Sequence, residues 1–339
     1  MTHRYGRAGT LVVSLDFELH WGVRDVRRVA DYRENLLGVR DAVPALLATF
    51  REFGIHATWA TVGLLFFETK REMMAALPAV RPAYRRAELS PYGSLADVGD
   101  DERHDPFHFA PSLVRRIAAT ADQEIGTHTF SHYYCLEAGQ TPVDFREDLE
   151  AAIAVARAKL GLQPRSIVFP RNQVDPRYVD VCRSLGFTAY RGNPPSWAYR
   201  ARPQRAESLV RRAVRLADAY VPVSGSGARP VDVREGLLPL DVPASRYLRP
   251  HAPRLRALDA LRLRRITTDL RRAATRGDVY HLWWHPHDFG VHLRENLAFL
   301  RRVLACFATL RETHGMRSLT MGEVAEEAVS VEPGWRTGT

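Results

Sequence analysis

The stretch Glu124-Ile125-Gly126-Thr127-His128-Thr129-Phe130-Ser131-His132 brings an apolar, β-branched run directly up to a pair of histidines. A helix that began at Thr127 would place His128 and His132 on one face, because residues four apart are neighbours on a helix surface. Two imidazoles that converge in this way commonly hold a zinc ion. The spacing therefore predicts a metal pair, and the alternative interpretation is two partly exposed histidines on a surface helix.

A pair of carboxylates follows the first predicted strand, Leu11–Leu15. Asp16 and Glu18 follow it and are two residues apart, so in an extended chain both carboxylates point to the same side. Carboxylates at the end of an apolar strand are costly to bury unless they bind metal or move protons. A helix N-cap or a surface salt bridge is the alternative interpretation.

Helical and strand patterns alternate along the rest of the chain. Leu36, Val39, Val43 and Phe50 lie at helical spacing in a predicted helix over 35–53, and a strand over 55–62 follows Gly54. Further strands are predicted at 166–169, 187–190, 278–284 and 317–320, and further helices at 113–120, 145–160, 176–185, 202–219, 255–272 and 292–314. About seven strands that alternate with helices indicate an α/β fold with a parallel sheet, either open or closed into a barrel.

Polar side chains that can do chemistry fall at the carboxyl ends of the predicted strands. In both open and closed α/β folds, active sites form at that edge of the sheet. The residues concerned are Asp16, Glu18, His128, His132, Arg171, Arg191, His285 and His287. Structural residues scattered at random would have no reason to share one edge, so we expect these side chains to form one site.

Two segments interrupt the alternation, and we expect both to be long loops of one domain that spans 11–325. Residues 81–110 contain prolines, glycines, six acids and His108, and are predicted to form a lid over the site. Residues 221–253 are rich in proline, glycine and serine. Residues 1–10 are predicted to form an N-terminal arm, and residues 326–339 a tail.

The composition indicates which classes of partner and which cellular compartment to expect for the protein. The formal net charge is +9, but 46 of the 48 basic residues are arginines scattered among acids, so we expect no nucleic-acid partner. No apolar run reaches the length of a membrane span, and no apolar leader precedes the first strand. Three cysteines without a C-x-x-C pair favour reduced thiols. We expect a cytoplasmic protein, which could form a homo-oligomer.

Two histidines and one carboxylate make a three-ligand metal site that leaves positions open for water and substrate. A bound metal lowers the pKa of water and polarises a carbonyl oxygen. A second carboxylate could act as a general base, a histidine could protonate a leaving amine, and an arginine could orient the base or bind an anionic group. This set of groups is suited to hydrolysing an amide or an ester.

The order of a D-x-E run, the run H-T-x-S-H, an arginine at a strand end and a final strand ending in histidine resembles the polysaccharide deacetylase family (NodB homology, carbohydrate esterase 4). The resemblance covers roughly Leu11 to Glu323, and its most specific part is His128–His132. It implies a distorted (β/α)7-type barrel and a divalent metal held by an Asp-His-His set, with zinc as the expected ion. It also implies removal of an N-acetyl group from an amino sugar.

The chain departs from that family's pattern at several positions. Adjacent aspartates are replaced by Asp16-Phe17-Glu18, so we assign Glu18 to the metal with His128 and His132, and Asp16 to the base, although the two roles could be exchanged. The residues that flank Arg171 differ from those of the family's arginine motif, and Arg171 is the candidate catalytic arginine. His285 is the candidate acid, with His287 competing for that role. The candidate substrate contacts are Trp21, His108, Arg191, Trp284 and His287.

The predicted function is therefore a metal-dependent deacetylase of an N-acetylated sugar. A soluble or lipid-linked sugar intermediate is expected rather than peptidoglycan or chitin. Two alternatives stay open at this point: a metal-dependent hydrolase of a non-sugar amide, such as a cyclic amide or a formyl-amine, and a barrel that binds carbohydrate without catalysis.

Overall fold

The computed structural model describes residues 3–4, 8–233 and 238–330. The helices are α1 (Val29–Phe53), α2 (Lys70–Ala75), α3 (Pro111–Ala118), α4 (Pro142–Leu160), α5 (Pro176–Ser184), α6 (Leu209–Asp218), α7 (Asp259–Arg276), α8 (Leu293–His314) and α9 (Met321–Ser330). The strands are β1 (His3–Arg4), β2 (Thr10–Phe17), β3 (Ala57–Thr61), β4 (Gln123–Thr127), β5 (Ser166–Ile167), β6 (Ala189–Tyr190), β7 (Asp232–Val233), β8 (Leu240–Asp241), β9 (Arg246–Tyr247), β10 (Val279–Trp284) and β11 (Arg317–Leu319).

Parallel strands form the main sheet in the order β8-β6-β5-β4-β3-β2-β10-β9, and β11 pairs with the first residues of β2. The edge strands β8 and β9 are consecutive in the chain. Val242 N donates to Tyr190 O at 2.9 Å and Ser245 N donates to His281 O at 2.8 Å, so the segment between them bridges the two ends of the sheet. The sheet is thereby curled, which confirms the predicted α/β barrel of parallel strands.

This closure corrects the prediction that 221–253 is a long loop. The segment contains three short strands, of which β8 and β9 form the sheet edges and β7 pairs antiparallel with β1. Two-residue strands carry too little apolar periodicity to stand out among prolines and glycines. Their pairing is decided by the neighbouring strands, which sequence patterns do not reveal.

Helix α1 follows its predicted periodicity. Leu36, Val39, Val43 and Phe50 are buried against the sheet, and Gly54 ends the helix with a φ of 60°, a conformation that glycine adopts at little cost. The helix begins at Val29, six residues before its predicted start.

One other helix prediction needs correction, and one predicted boundary falls inside a helix. The helix predicted over 202–219 begins only at Leu209, since Pro203 and a 3-10 turn at Gln204–Ala206 precede it. Helix α9 runs to Ser330, so the predicted domain end at 325 falls inside a helix whose Met321, Val324 and Ala325 are buried. Residues 1–2, 5–7 and 331–339, which include much of the predicted arm and tail, lie outside the described residues.

The predicted lid, 81–110, is fixed to the body of the domain. Leu89, Leu95 and Phe109 are buried, and Arg40 of α1 donates to the carbonyl oxygens of Pro106 at 2.9 Å and Phe109 at 2.6 Å. These contacts hold the segment beside α1. Among the described residues, no helix is long and apolar enough to cross a membrane.

Candidate metal centre and active site

The predicted strand-end residues converge at the carboxyl edge of the sheet. Asp16 lies at the end of β2, His128 directly follows β4, Arg191 directly follows β6, and His285 directly follows β10. A cavity of about 330 Å³ opens at this edge. Its walls include Asp16, Glu18, Tyr32, His128, His132, Arg171, Asn172, Tyr247, Trp283, His285, His287 and Asp288. The expectation that these elements share one edge is confirmed for the described residues.

The two histidines of the opening stretch meet through a turn, and the predicted helix at Thr127 is wrong. β4 ends at Thr127, and Thr129 and His132 have positive φ angles of 66° and 58°, which a helix excludes. Asp148 of α4 fixes the turn, since its carboxylate accepts a hydrogen bond from Phe130 N at 2.7 Å and another from the Ser131 hydroxyl. The imidazole centroids end 5.0 Å apart.

Glu18 completes a three-residue cluster with these histidines. Its Oε2 lies 3.3 Å from His128 Nε2 and 3.0 Å from His132 Nε2. All three side chains are buried. One carboxylate oxygen and two imidazole nitrogens are the donor set of a catalytic zinc-type site.

The tautomer of His128 gives this cluster a physical need for a cation. His128 Nδ1 lies 2.8 Å from Val168 O, and a carbonyl oxygen only accepts, so Nδ1 carries a proton. In the neutral ring, Nε2 is then a bare lone pair that faces the Glu18 carboxylate. Two acceptors repel unless a proton or a metal cation stands between them. The same backbone bond fixes the ring orientation, as in known metal-ligating histidines.

The charges of the cluster match a metal site. Burial alone would raise the pKa of Glu18, but the charge of His285 and the adjoining imidazoles hold that pKa well below its usual range. Burial lowers the pKa of His132 to about 4, against the opposing effect of Glu18. An ionised carboxylate and a neutral imidazole are the forms that bind cations.

Asp16 is engaged by a different partner, Arg191. The guanidinium donates Nη1 to Asp16 Oδ1 and Nη2 to Oδ2, both at 2.7 Å. Burial would raise the pKa of Asp16, but the charge and hydrogen bonds of Arg191 lower it. Arg191 is 0% exposed, so the prediction that it contacts substrate is wrong, and it lies behind Asp16 instead.

Arg171, the predicted catalytic arginine, contacts Asp25. Its Nη2 lies 2.6 Å from both Asp25 carboxylate oxygens, and its guanidinium carbon lies 4.2 Å from the Tyr134 ring centroid. Arg171 therefore lines the cavity without touching Asp16. Arg171 follows β5, whereas Arg191 follows the next strand, β6. It is Arg191 that holds Asp16.

His285 and His287 lie stacked on the opposite side of the cavity, with ring centroids 4.8 Å apart. His285 Nδ1 is 3.0 Å from Asp288 Oδ2, and its Nε2 is 3.7 Å from Glu18 Oε1 and 3.9 Å from Asp16 Oδ2. Burial would lower the pKa of His285, but Glu18 and Asp288 raise it to about 10. Burial and the His285 charge lower the pKa of His287. His285 therefore holds the proton of this pair.

Three predicted substrate contacts lie away from the cavity. Trp284 is 0% exposed and stacks on Phe289 in the layer between sheet and helices, whereas its neighbour Trp283 lines the cavity under Arg191. Trp21 is buried and donates its Nε1 proton to His108 O at 2.8 Å.

His108 itself is held away from the cavity by two hydrogen bonds. Its Nδ1 lies 2.8 Å from Asp105 Oδ2 and its Nε2 lies 2.9 Å from His20 Nδ1. No described residue of 81–110 lines the cavity, so the lid is not supported by the structure.

Sequence reasoning missed the residues that support this site from other segments. Asp288 was visible three residues after His285, a separation at which side chains meet in a helical turn. Asp148, Asp25 and Tyr247 are distant in sequence from the side chains and backbone groups that they contact. No local sequence pattern indicated these contacts. Tyr247, in the segment predicted as loop, donates its hydroxyl to Asp288 Oδ2 at 2.7 Å.

Comparison with known proteins supports this picture at the level of fold and family. The chain is similar to a protein of Mycobacterium smegmatis described as a "putative polysaccharide deacetylase", with a TM-score of 0.61, 16% identity, and coverage of 98% of this chain and 95% of that one. It is also similar to 4-alpha-glucanotransferase from Thermococcus litoralis, with a TM-score of 0.52, 12% identity, and coverage of 94% of this chain and 40% of that one. At these identities the likeness shows a shared fold. No curated protein matches the sequence.

The family model described as polysaccharide deacetylase matches residues 35–190. This segment contains His128 and His132, whereas Asp16 and Glu18 precede it and Arg191 and His285 follow it. The resemblance predicted from the motifs is confirmed, since residues 35–190 match the model of the polysaccharide deacetylase family.

Proposed function

We propose that the protein is a metal-dependent deacetylase that removes the N-acetyl group from an amino sugar. The observation that carries the proposal is the buried set of Glu18, His128 and His132, whose donor atoms lie within 4.8 Å of one another at the carboxyl edge of the sheet. The family match adds deacetylation of carbohydrate as the chemistry of related proteins.

Glu18, His128 and His132 would hold the cation, with zinc as the expected ion. When bound there, a divalent cation supplies polarisation of the acyl carbonyl and an acidified water. The lone pair of His128 Nε2, fixed by the bond from Nδ1 to Val168, fits this role, and so does the ionised state of Glu18.

Asp16 is the proposed general base. Arg191 keeps its carboxylate ionised and fixes both oxygens, so that the carboxylate can accept a proton from the attacking water. Because Arg191 lies behind Asp16 and not in the cavity, its role is to position the base.

His285 is the proposed general acid. It carries the proton of the stacked histidine pair and would donate it from Nε2 to the leaving nitrogen as the bond from acyl carbon to nitrogen breaks. The products are acetate and a free amine. Glu18 and Asp288 raise the pKa of His285, so the ring carries this proton when the substrate binds.

Two measurements test the proposal together: metal content of the purified protein and acetate release from N-acetylated sugars. His128→Ala should lose the metal, and the exposed His314 provides a matched control, since His314→Ala should keep it. Asp16→Asn should keep the metal and lose turnover by about 10²–10⁴-fold, the usual contribution of one general base. Full metal retention in His128→Ala would contradict the site.

The same measurements separate the alternatives. A carbohydrate-binding barrel without catalysis would hold sugar without metal and would release no acetate from any N-acetylated sugar. A hydrolase of non-sugar amides would hydrolyse cyclic amides or formyl-amines in preference to N-acetylated sugars. If Asp16→Asn removes the metal while Glu18→Gln keeps it, the roles of the two carboxylates are exchanged.

A further inference from the structure

A second cavity, of about 270 Å³, adjoins the first. The two cavities share Arg171, Asn172, Tyr247 and Trp283 as wall residues, so a molecule seated in one can extend into the other. Cavities of a few hundred Å³ are of the size that binds single small molecules.

The wall of the second cavity is strongly cationic. Six arginines line it: Arg171, Arg200, Arg202, Arg215, Arg246 and Arg249. Glu207 is the one carboxylate among the described residues in this wall. An arginine guanidinium presents a fork of donors that matches the oxygens of an anion.

Three of these arginines already have carboxylate partners. Arg171 pairs with Asp25 at 2.6 Å, Arg215 pairs with Glu207 at 3.0 Å, and the buried Arg246 lies 3.6 Å from both Asp218 and Asp269. In the described part of the chain, Arg200, Arg202 and Arg249 form no ion pair with a carboxylate. Three positive charges at one cavity are thus left without a carboxylate partner among the described residues.

Arg249 connects this charge to the active site. Its guanidinium carbon lies 5.8 Å from the ring centroid of Tyr247, and Tyr247 donates to Asp288, the partner of His285. One aromatic ring therefore separates the unpaired guanidinium from the proposed acid. A molecule whose amide lies beside His285 can therefore place an anionic group against Arg249.

We propose that the second cavity binds a phosphoryl group of the substrate, so that the protein acts on an N-acetylated amino sugar that carries a phosphate or a diphosphate. This inference rests on the proposed function. A phosphate ester offers about two negative charges and three acceptor oxygens, which three unpaired guanidiniums can satisfy, whereas a single carboxylate offers one charge. The phosphate could belong to a soluble sugar phosphate or to a lipid headgroup.

The first test compares glucosamine 1-phosphate with glucosamine by calorimetry. Neither probe has an acetyl group, so neither is consumed. The phosphate should tighten binding by about 10–100-fold, and added salt should reduce this preference. The variant Arg200→Gln/Arg202→Gln should remove most of the preference, and so should Arg249→Gln. Arg212 is exposed on α6 and outside the cavity wall, so Arg212→Gln is the matched control and should keep the preference.

A second arm identifies the source of the phosphate. Co-sedimentation is measured with phosphatidylcholine vesicles, with and without phosphatidic acid. Preference for glucosamine 1-phosphate assigns a soluble substrate. Binding to acidic vesicles alone, lost in Arg200→Gln/Arg202→Gln and kept in Arg212→Gln, assigns a lipid headgroup.

The proposal is overturned if neither phosphate source is preferred, or if Arg212→Gln weakens binding as much as the cavity variants do. These results are independent of acetate release. A protein that deacetylates neutral sugars without a phosphate preference would keep the proposed function and lose this inference. Arginine-dependent phosphate binding without acetate release from any sugar would keep the phosphate site and contradict the proposed deacetylase function.

Discussion

Replacement of Arg191 by glutamine tests how the base is held. The substitution removes the guanidinium that contacts both oxygens of Asp16, and it leaves a buried carboxylate whose remaining ion-pair partner is the more distant His285, with Nε2 3.9 Å from Oδ2. With the two charge centres about 4 Å apart and an effective dielectric constant of about 20, the lost attraction is about 4 kcal/mol. Removal of one partner of a buried pair costs about 3–5 kcal/mol in proteins, which agrees with this value.

A double-mutant cycle separates the charge pair from the other contacts of Arg191. Asp16→Asn/Arg191→Gln has no buried charge at this position, so it should be more stable than Arg191→Gln alone, with a coupling energy of about 2–3 kcal/mol. The measurement is urea unfolding followed by circular dichroism and by tryptophan fluorescence, compared where the two transitions coincide. Asn172 and Ser14 also accept hydrogen bonds from Arg191, and the cycle cancels these losses.

The reasoning is refuted if the coupling energy lies within about 0.5 kcal/mol of zero, the scatter of independent sites. Such a result would mean that Asp16 is solvated or protonated in the native protein. It would also remove the argument that Arg191 keeps the base ionised.

Three further predictions concern separate parts of the molecule. His56 Nδ1 lies 2.8 Å from a Glu323 carboxylate oxygen, and this hydrogen bond raises the pKa of His56. The stabilisation is present below the ordinary histidine pKa and is lost as pH rises through the raised pKa, so His56→Gln should cost about 0.5 kcal/mol in urea unfolding near pH 6 and nothing near pH 9. Asp148→Ala should weaken metal affinity by about 10–100-fold in chelator competition, because it frees the turn that carries the histidine ligands, and unchanged affinity would contradict this role. Trp284→Ala should cost about 3–5 kcal/mol of stability. Trp283→Ala should cost less and raise KM for the substrate, and the reverse order would mean that the cavity wall is wrongly assigned.

Local pattern was sufficient for the parts of the fold that bury a regular face. Helix α1 was predicted because its apolar residues repeat at helical spacing, and strand β2 because it is a nearly continuous apolar run, all of which is buried. Strands β8 and β9 were missed because two-residue strands have no period to detect. The turn at His128–His132 was predicted as a helix because spacing alone does not distinguish a helix from a loop held by a distant carboxylate.

The sequence by itself determined which residues could do the chemistry. Carboxylates, histidines and arginines directly after apolar strands must meet at one edge, since all strands of a parallel sheet end on the same side. It could not determine which of them pair. Arg191 and Asp16 are 175 residues apart, and Arg171 was the predicted catalytic arginine until the order of the strands brought Arg191 behind Asp16.

Only the tertiary structure decided which face of strand β10 lines the cavity. Trp283 and Trp284 are adjacent in β10, so they point to opposite sides, and the sequence is equally compatible with either one inside. Curling of the sheet turned Trp283 towards the cavity and Trp284 towards the helices. The physical reason is that the direction in which the sheet curls depends on contacts between segments far apart in the chain. The alternation of side chains within a single strand contains no information about these contacts.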